Sequence, residues 1–191
     1  MKKTIERLLC GLLLVGGLFH STAQVKIEQE FRMDPKEVPA KAITYLELMQ
    51  AGHKVKWYKE QGADRSTIEG KFKKEGRKFS VEFDEQGQLE DVEVEIRWRQ
   101  VPEALRKVIG TQLGQQFKRF RVKRVQEHYP QDAGRILDWH LKQQPFPPYF
   151  EIELKGVNDE GSKLYEFLFD PDGKEVRQSI ILLRNTDNLE F

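Results

Sequence analysis

One segment of this chain occurs twice. Residues 78–87 read K-F-S-V-E-F-D-E-Q-G, and residues 164–173 read L-Y-E-F-L-F-D-P-D-G. In register, Phe79 falls on Tyr165, Val81 on Phe167, Phe83 on Phe169, Asp84 on Asp170 and Gly87 on Gly173. Each copy places an apolar residue at every second position, the period of a strand with one face buried, and closes in an Asp-x-x-Gly turn. A repeated strand and turn implies a repeated unit around it. The chain must then hold two similar small units.

The flanking sequence bears this out at the level of pattern. Asp34-Pro35 opens a helix, with Asp as N-cap and Pro at its first position. Val38, Ala42, Tyr45, Leu46 and Met49 recur at helical spacing, and Gly52 ends it. Strands are expected at 53–60, 66–74, 78–83 and 90–99. In the last, Val92, Val94, Ile96 and Trp98 alternate with Glu93, Glu95, Arg97 and Arg99. The order then restarts. Val101, Leu105, Val108, Ile109, Leu113 and Phe117 make a second helical stripe, followed by strands at 119–129, 149–157, 163–169 and 174–183. The predicted fold class is α+β: a tandem repeat, each repeat one helix followed by a four-stranded antiparallel sheet. The helices lie on one sheet face, and the two sheets join into one. The domain plan is 1–23, a signal peptide; 24–99, the first repeat; and 100–191, the second.

The leader is read from its layout. Lys2, Lys3 and Arg7 precede an apolar run, Leu8–Phe19, that is too short to span a bilayer. Ser21 and Ala23 place small residues where a signal peptidase reads, so cleavage is expected after Ala23. The predicted location is the periplasm or the medium, with no transmembrane segment in the mature chain. Cys10 follows two leucines, which disfavours lipidation, and cleavage removes this single cysteine. Removing three basic residues and Glu6 turns the net charge of +1 into −1. A near-neutral chain has no global attraction to nucleic acid, and none is expected as a partner.

The second half carries an insertion, 130–148, absent from the first. It contains an expected short helix, 132–144, and then Pro145-Phe146-Pro147-Pro148. Tyr129, Trp139, Phe146 and Tyr149 make it the most aromatic stretch, either a partner-binding loop or a cover for the core. The segment 118–124, K-R-F-R-V-K-R, is basic; on a strand Arg119, Arg121 and Lys123 share a face and offer a polyanion site. The bland reading of that face is a solvated surface balanced by acids such as Glu151 and Glu153.

Asp170-Pro171-Asp172-Gly173 has the look of a calcium loop, but the later ligands of such a loop do not follow, and the first copy has Gln86 in place of the second Asp. Turn chemistry accounts for the shared Asp and Gly. His53, His128 and His140 form no metalloprotease motif, and neither a nucleophile elbow nor a phosphate loop is present. No catalytic residues, metal site or cofactor are assigned.

A helix followed by strands ending in Y-E-F-L-F-D-P-D-G-K, behind a leader, resembles the PepSY-like exported proteins of Bacteroidetes, grouped with β-lactamase-inhibitor-like folds. The residues that carry the resemblance are 101–117, 164–169 and 170–174. It implies tandem helix-plus-sheet units, an open sheet face, and binding or inhibitory roles without cofactor or catalytic residues. The leading expectation is a non-enzymatic module that binds an envelope or secreted protein or peptide through the open face and the insertion. A polyanion binder using 118–124 is the alternative, and an enzyme of unrecognised type comes third.

Overall fold

A computed structural model of the chain describes residues 24–62 and 65–183. The expected leader with its expected cleavage point, Cys10, and residues 184–191 lie outside the described residues. The elements in chain order are β1 (Gln24–Glu28), β2 (Glu30–Arg32), α1 (Ala40–Leu48), β3 (Lys56–Gln61), β4 (Ser66–Lys74), β5 (Arg77–Phe83), β6 (Leu89–Ile96), α2 (Glu103–Gln116), β7 (Arg119–Pro130), α3 (Ala133–Lys142), β8 (Tyr149–Asn158), β9 (Gly161–Phe169) and β10 (Glu175–Leu183). Short 3-10 turns at Pro35–Glu37 and Trp98–Gln100 precede α1 and α2.

The strands form one sheet in the order β1-β10-β9-β8-β7-β6-β5-β4-β3-β2. The strands from β2 to β10 pair antiparallel, and β1 joins β10 in parallel. There are not two sheets of four strands. The β6–β7 pairing, with Val92 opposite Tyr129 and Ile96 opposite Val125, makes one surface of both halves. The segment 24–32 has a second effect. It runs along β10, then passes through Gln29 alone to pair with β3, and the Gln29 carbonyl accepts from Gln61 N. The two edges of the sheet are therefore drawn together at one end.

Strand alternation sorts the sheet into two faces. One is apolar and carries all three helices. Val38, Ala42, Tyr45, Leu46 and Met49 pack on Trp57, Ile68, Phe72, Phe79, Val81, Phe83, Val92 and Val94. Leu105, Ile109, Leu113 and Phe117 pack on Val125, Phe150, Ile152, Leu154, Tyr165, Phe167 and Phe169. Both duplicated strands lie in these cores: Val81, Phe83, Phe167 and Phe169 are fully buried.

Three expectations about the elements need correction. The first helix is split, because Pro39 holds Val38 in an extended conformation (ψ 132°) between the 3-10 turn and α1. The fourth strand ends at Ile96 rather than Arg99, because residues 98–100 coil into the 3-10 turn, although Trp98 still packs on the second core. Val108, expected in the buried stripe of α2, is 46% exposed, since it sits beside Ile109 on the rim of the helix.

The split leaves α1 with nine residues against fourteen in α2. At 1.5 Å per residue, α1 is roughly 7 Å shorter and covers less of its half of the sheet. The insertion makes up the difference. Its helix α3 buries Ile136 completely and lays Leu137 and Trp139 against the first core, where Phe146, beyond the helix, also packs. Asp132 caps it by accepting from Arg135 N at 3.0 Å.

The two Asp-x-x-Gly turns have the same construction. Asp84 Oδ1 accepts from Gln86 N and Gln88 N; Asp170 Oδ1 accepts from Asp172 N and Lys174 N. Gly87 and Gly173 both have positive φ, +77° and +83°. Each lies against the helix of its own half: a Cβ on Gly87 would meet Pro39 at 2.8 Å, and one on Gly173 would meet Leu105 at 2.6 Å. Glycine is needed on both counts.

Candidate functional site

Among the described residues, the second face of the sheet carries no helix, and strand register fills it with polar side chains. Across the strands one row reads Tyr58, Glu69, Glu82, Asp91. The next reads Lys56, Lys71, Ser80, Glu93, His128, Tyr149. Further along β7 to β10 come Gln126 with Glu151, then Arg124 with Glu153 and Glu166. Drawing the sheet edges together makes this face concave, and many of its polar residues are buried: Glu69, Lys71, Ser80, Glu93, Gln126, His128, Glu151, Glu166 and Ser179.

Burying charge is costly unless it is paired, and most of this face is paired. Lys71 bridges Glu30 at 2.8 Å and Glu69 at 2.9 Å. The Ser80 hydroxyl donates to Glu69. Arg124 meets Glu153 at 2.6 Å, and Arg177 reaches both Glu151 and Glu166 at 3.4 Å. Burial alone would lower the Lys71 amine, but Glu69 and Glu30 raise it.

One part of the face is different. Asp91, Glu93 and His128 converge, with ligand-capable atoms all within 4.8 Å of one another. Gln126 donates to Glu93 Oε2, and His128 Nδ1 lies 3.4 Å from Glu93 Oε1. Glu82 stands directly across from Asp91 on β5. Oδ1 of Asp91 is shut off from solvent and has no hydrogen-bond partner. Burial, then the Glu93 carboxylate, lift the Asp91 carboxyl to about 7. Burial, then Asp91, push Glu82 well above the ordinary carboxylate range. Burial would lower the His128 imidazole, but the bond to Glu93 and the charge of Asp91 raise it.

The residues expected to bind a partner are not gathered in one place. Tyr129 is buried in the first core, with the Trp139 ring tilted against it at 4.1 Å between centroids and the Phe146 ring at 5.3 Å. Arg135 lies over the Phe146 ring at 4.2 Å. Tyr149 is on the opposite face, opposite His128 in register with ring centroids 6.5 Å apart. The insertion's aromatics and the polar face are thus on opposite sides of the sheet. Arg119 and Arg121 are exposed on the polar face and, with Lys155, line a depression of about 410 Å³. Lys123 does not share that face as expected. A β-bulge between Val122 and Arg124 makes it the extra residue and puts Arg124 in line with Arg121.

Sequence reading missed the Asp91–Glu93–His128 cluster. The signal available was the alternation of β6, which puts Asp91 and Glu93 on one face. The partner strand's register, which brings in His128, has no local sequence mark.

No protein-family model matches the sequence, and no curated protein matches it. Solved structures do. A candidate periplasmic protein from Bacteroides eggerthii DSM 20697 superposes with a TM-score of 0.53 at 17% identity, over 75% of this chain and 88% of that one. A DUF2874 family protein from Bacteroides uniformis ATCC 8492 gives 0.52 at 19% identity, over 75% and 89%. A BLIP-like protein from Bacteroides fragilis NCTC 9343 gives 0.48 at 18%, over 80% and 92%. The chain has the fold of the first two of these Bacteroides proteins. The resemblance to exported Bacteroidetes proteins read from the strand-and-turn segment therefore stands at the level of fold. Among the described residues, no helix is long and apolar enough to cross a membrane.

Proposed function

We propose that this chain is an exported, non-enzymatic binding module whose working surface is the helix-free face of the sheet. The observation that carries the reading is that face itself. Among the described residues, a ten-stranded sheet has its three helices on one side, and the other is a concave surface of charged groups. A face with only a structural role would be cheaper to build from apolar side chains under a covering layer. Its ligand on this reading is a protein or peptide of the envelope or the medium. Export rests on the basic start, the apolar run and the small residues before Gln24, and on the fold shared with a candidate periplasmic protein. The non-enzymatic reading is supported by Ser80, which lies across from Glu93 and donates its hydroxyl to Glu69 rather than to His128. The two halves are read as copies of one unit, 24–99 and 100–191. The matching turns, each against its own helix, support that division. The exposed edges of Trp139 and Phe146 would contribute to a partner site only as a second, separate contact.

Cross-linking in envelope extract tests the reading, with wild type compared against Arg121→Glu with Lys155→Glu and against Trp139→Ala with Phe146→Ala. The expected result is a discrete cross-linked species lost from the first double variant and kept by the second. Equal recovery of the same species from all three proteins would refute a role for the sheet face.

A polyanion-binding reading is favoured by one observation, the exposed Arg119, Arg121 and Lys155 around a single depression. It predicts retention on heparin that falls with salt and disappears with Arg121→Glu. Failure to bind at low salt removes it.

A further inference from the structure

We propose that Asp91, Glu93 and His128 form a binding site for a divalent transition-metal cation on the concave face. This goes beyond the binding-module reading and does not rest on it. The β6–β7 register sets Glu93 directly opposite His128, and Asp91 lies two residues along β6 on the same face. Their ligand-capable atoms lie within 4.8 Å of one another. Two ligands held about 2.1 Å from one tetrahedral cation are about 3.4 Å apart. His128 Nδ1 and Glu93 Oε1 are 3.4 Å apart. That pair already has the edge length a cation requires, and Asp91 needs only a side-chain adjustment to complete a three-ligand face.

Two further observations point to an absent positive centre. Asp91 Oδ1 is buried without a hydrogen-bond partner, which a native structure rarely tolerates. The charge around it is also unbalanced. Glu69, Glu82 and Asp91 stand side by side across β4, β5 and β6, with Glu93 in the neighbouring row. The same face offers His128, Lys71 and, on β3 beyond Lys71, Lys56; Lys71 is shared between Glu69 and Glu30, and Arg177, from β10, is engaged with Glu151 and Glu166. A divalent cation would offset that excess. Gln126 holds the second oxygen of Glu93, as orienting partners of metal ligands commonly do. Two carboxylates and an imidazole suit Zn²⁺, Mn²⁺ or Fe²⁺ better than Ca²⁺ or Mg²⁺, which favour all-oxygen shells. Glu82, across from Asp91 on β5, lies beside this group and outside the three residues whose ligand atoms converge.

The test is calorimetric titration of the full chain, stripped with EDTA, with ZnCl2, MgCl2 and CaCl2, alongside Co²⁺ absorption. The expected result is one equivalent of Zn²⁺ per chain and a Co²⁺ d–d spectrum. Asp91→Asn and His128→Gln should each weaken Zn²⁺ binding tenfold or more, and His140→Gln should leave it unchanged. Absence of Zn²⁺ binding overturns the proposal, as does binding that survives both first variants or follows His140, or Mg²⁺ or Ca²⁺ binding as tight as Zn²⁺. If either variant fails to fold by circular dichroism, the His128 imidazole ¹⁵N shift in the wild type decides. A shift on adding Zn²⁺ supports the site, and an unchanged His128 resonance overturns it.

Discussion

Most proteins lose stability in acid, because paired carboxylates must be protonated there. The metal-free form of this one is expected to behave the other way over the neutral range. Asp91 moves from 3.8 to about 7 on folding, driven first by burial and then by Glu93. Between those values the folded state keeps a proton that the unfolded state has lost. Stability is thus fully present below the unfolded value and falls as pH rises through the window. The window is about three pH units, and each is worth about 1.4 kcal/mol, so the loss approaches about 4 kcal/mol at neutral pH. Glu82 is raised as well, and acts in the same direction. His128 is also raised; its contribution is present in acid and is lost as pH climbs through its folded value. The groups facing these three are Glu60, Glu69, Glu90, Glu93 and Arg177; the carboxylates among them oppose ionisation of Asp91 and Glu82, while Glu93 favours the charged imidazole of His128. Urea unfolding in EDTA, from about pH 4 to about pH 8, should show the midpoint falling while the slope with denaturant stays constant. Asp91→Asn keeps the shape and removes the charge. It should match the wild type near pH 4, exceed it near pH 8 by a few kcal/mol at most, and flatten the profile. A wild-type midpoint that is flat or rises across the range would refute the reasoning.

Gly87→Ala combines a positive φ with a Cβ 2.8 Å from Pro39, so it should cost about 2 kcal/mol or more in thermal unfolding, whereas Gly110→Ala, in open space on α2, should be neutral or stabilising by up to about 1 kcal/mol. Ile136→Ala empties a fully buried position under α3 and should cost about 3 kcal/mol, with the loss appearing as one cooperative transition if the insertion belongs to the first core. Asp132→Ala removes the α3 cap and should cost about 1 kcal/mol, read by the same unfolding assay.

The outline of the fold was legible because its signals are local. Alternation in β4, β5, β6 and β9 follows from which side chains face the core, and the Asp and Gly of both turns follow from backbone geometry that any reader of the sequence meets. The segment 130–148 stood out too, as an aromatic and proline-rich stretch, but its packing did not. Whether Trp139 faces a partner or the core depends on the length of α1, and that was misjudged because Pro39 cuts the first helix short. The face of Lys123 depended on a single-residue bulge, which shifts every following side chain and leaves no mark in composition. The charged cluster was hidden for a deeper reason. Hairpins such as β4–β5 are joined by tight turns, which set register locally. Strands β6 and β7 are joined through α2, so no turn relates Glu93 to His128, 35 residues away. Their pairing is decided by apolar packing on the other face, where Val92 must meet Tyr129 and Ile96 must meet Val125. The core sets the register, and the register assembles the polar site on the reverse side. A slip of one residue in β7 would turn Tyr129 outward and carry His128 to the other face of the sheet, so the same hydrophobic contacts that hold the two halves together also hold the candidate ligands in place.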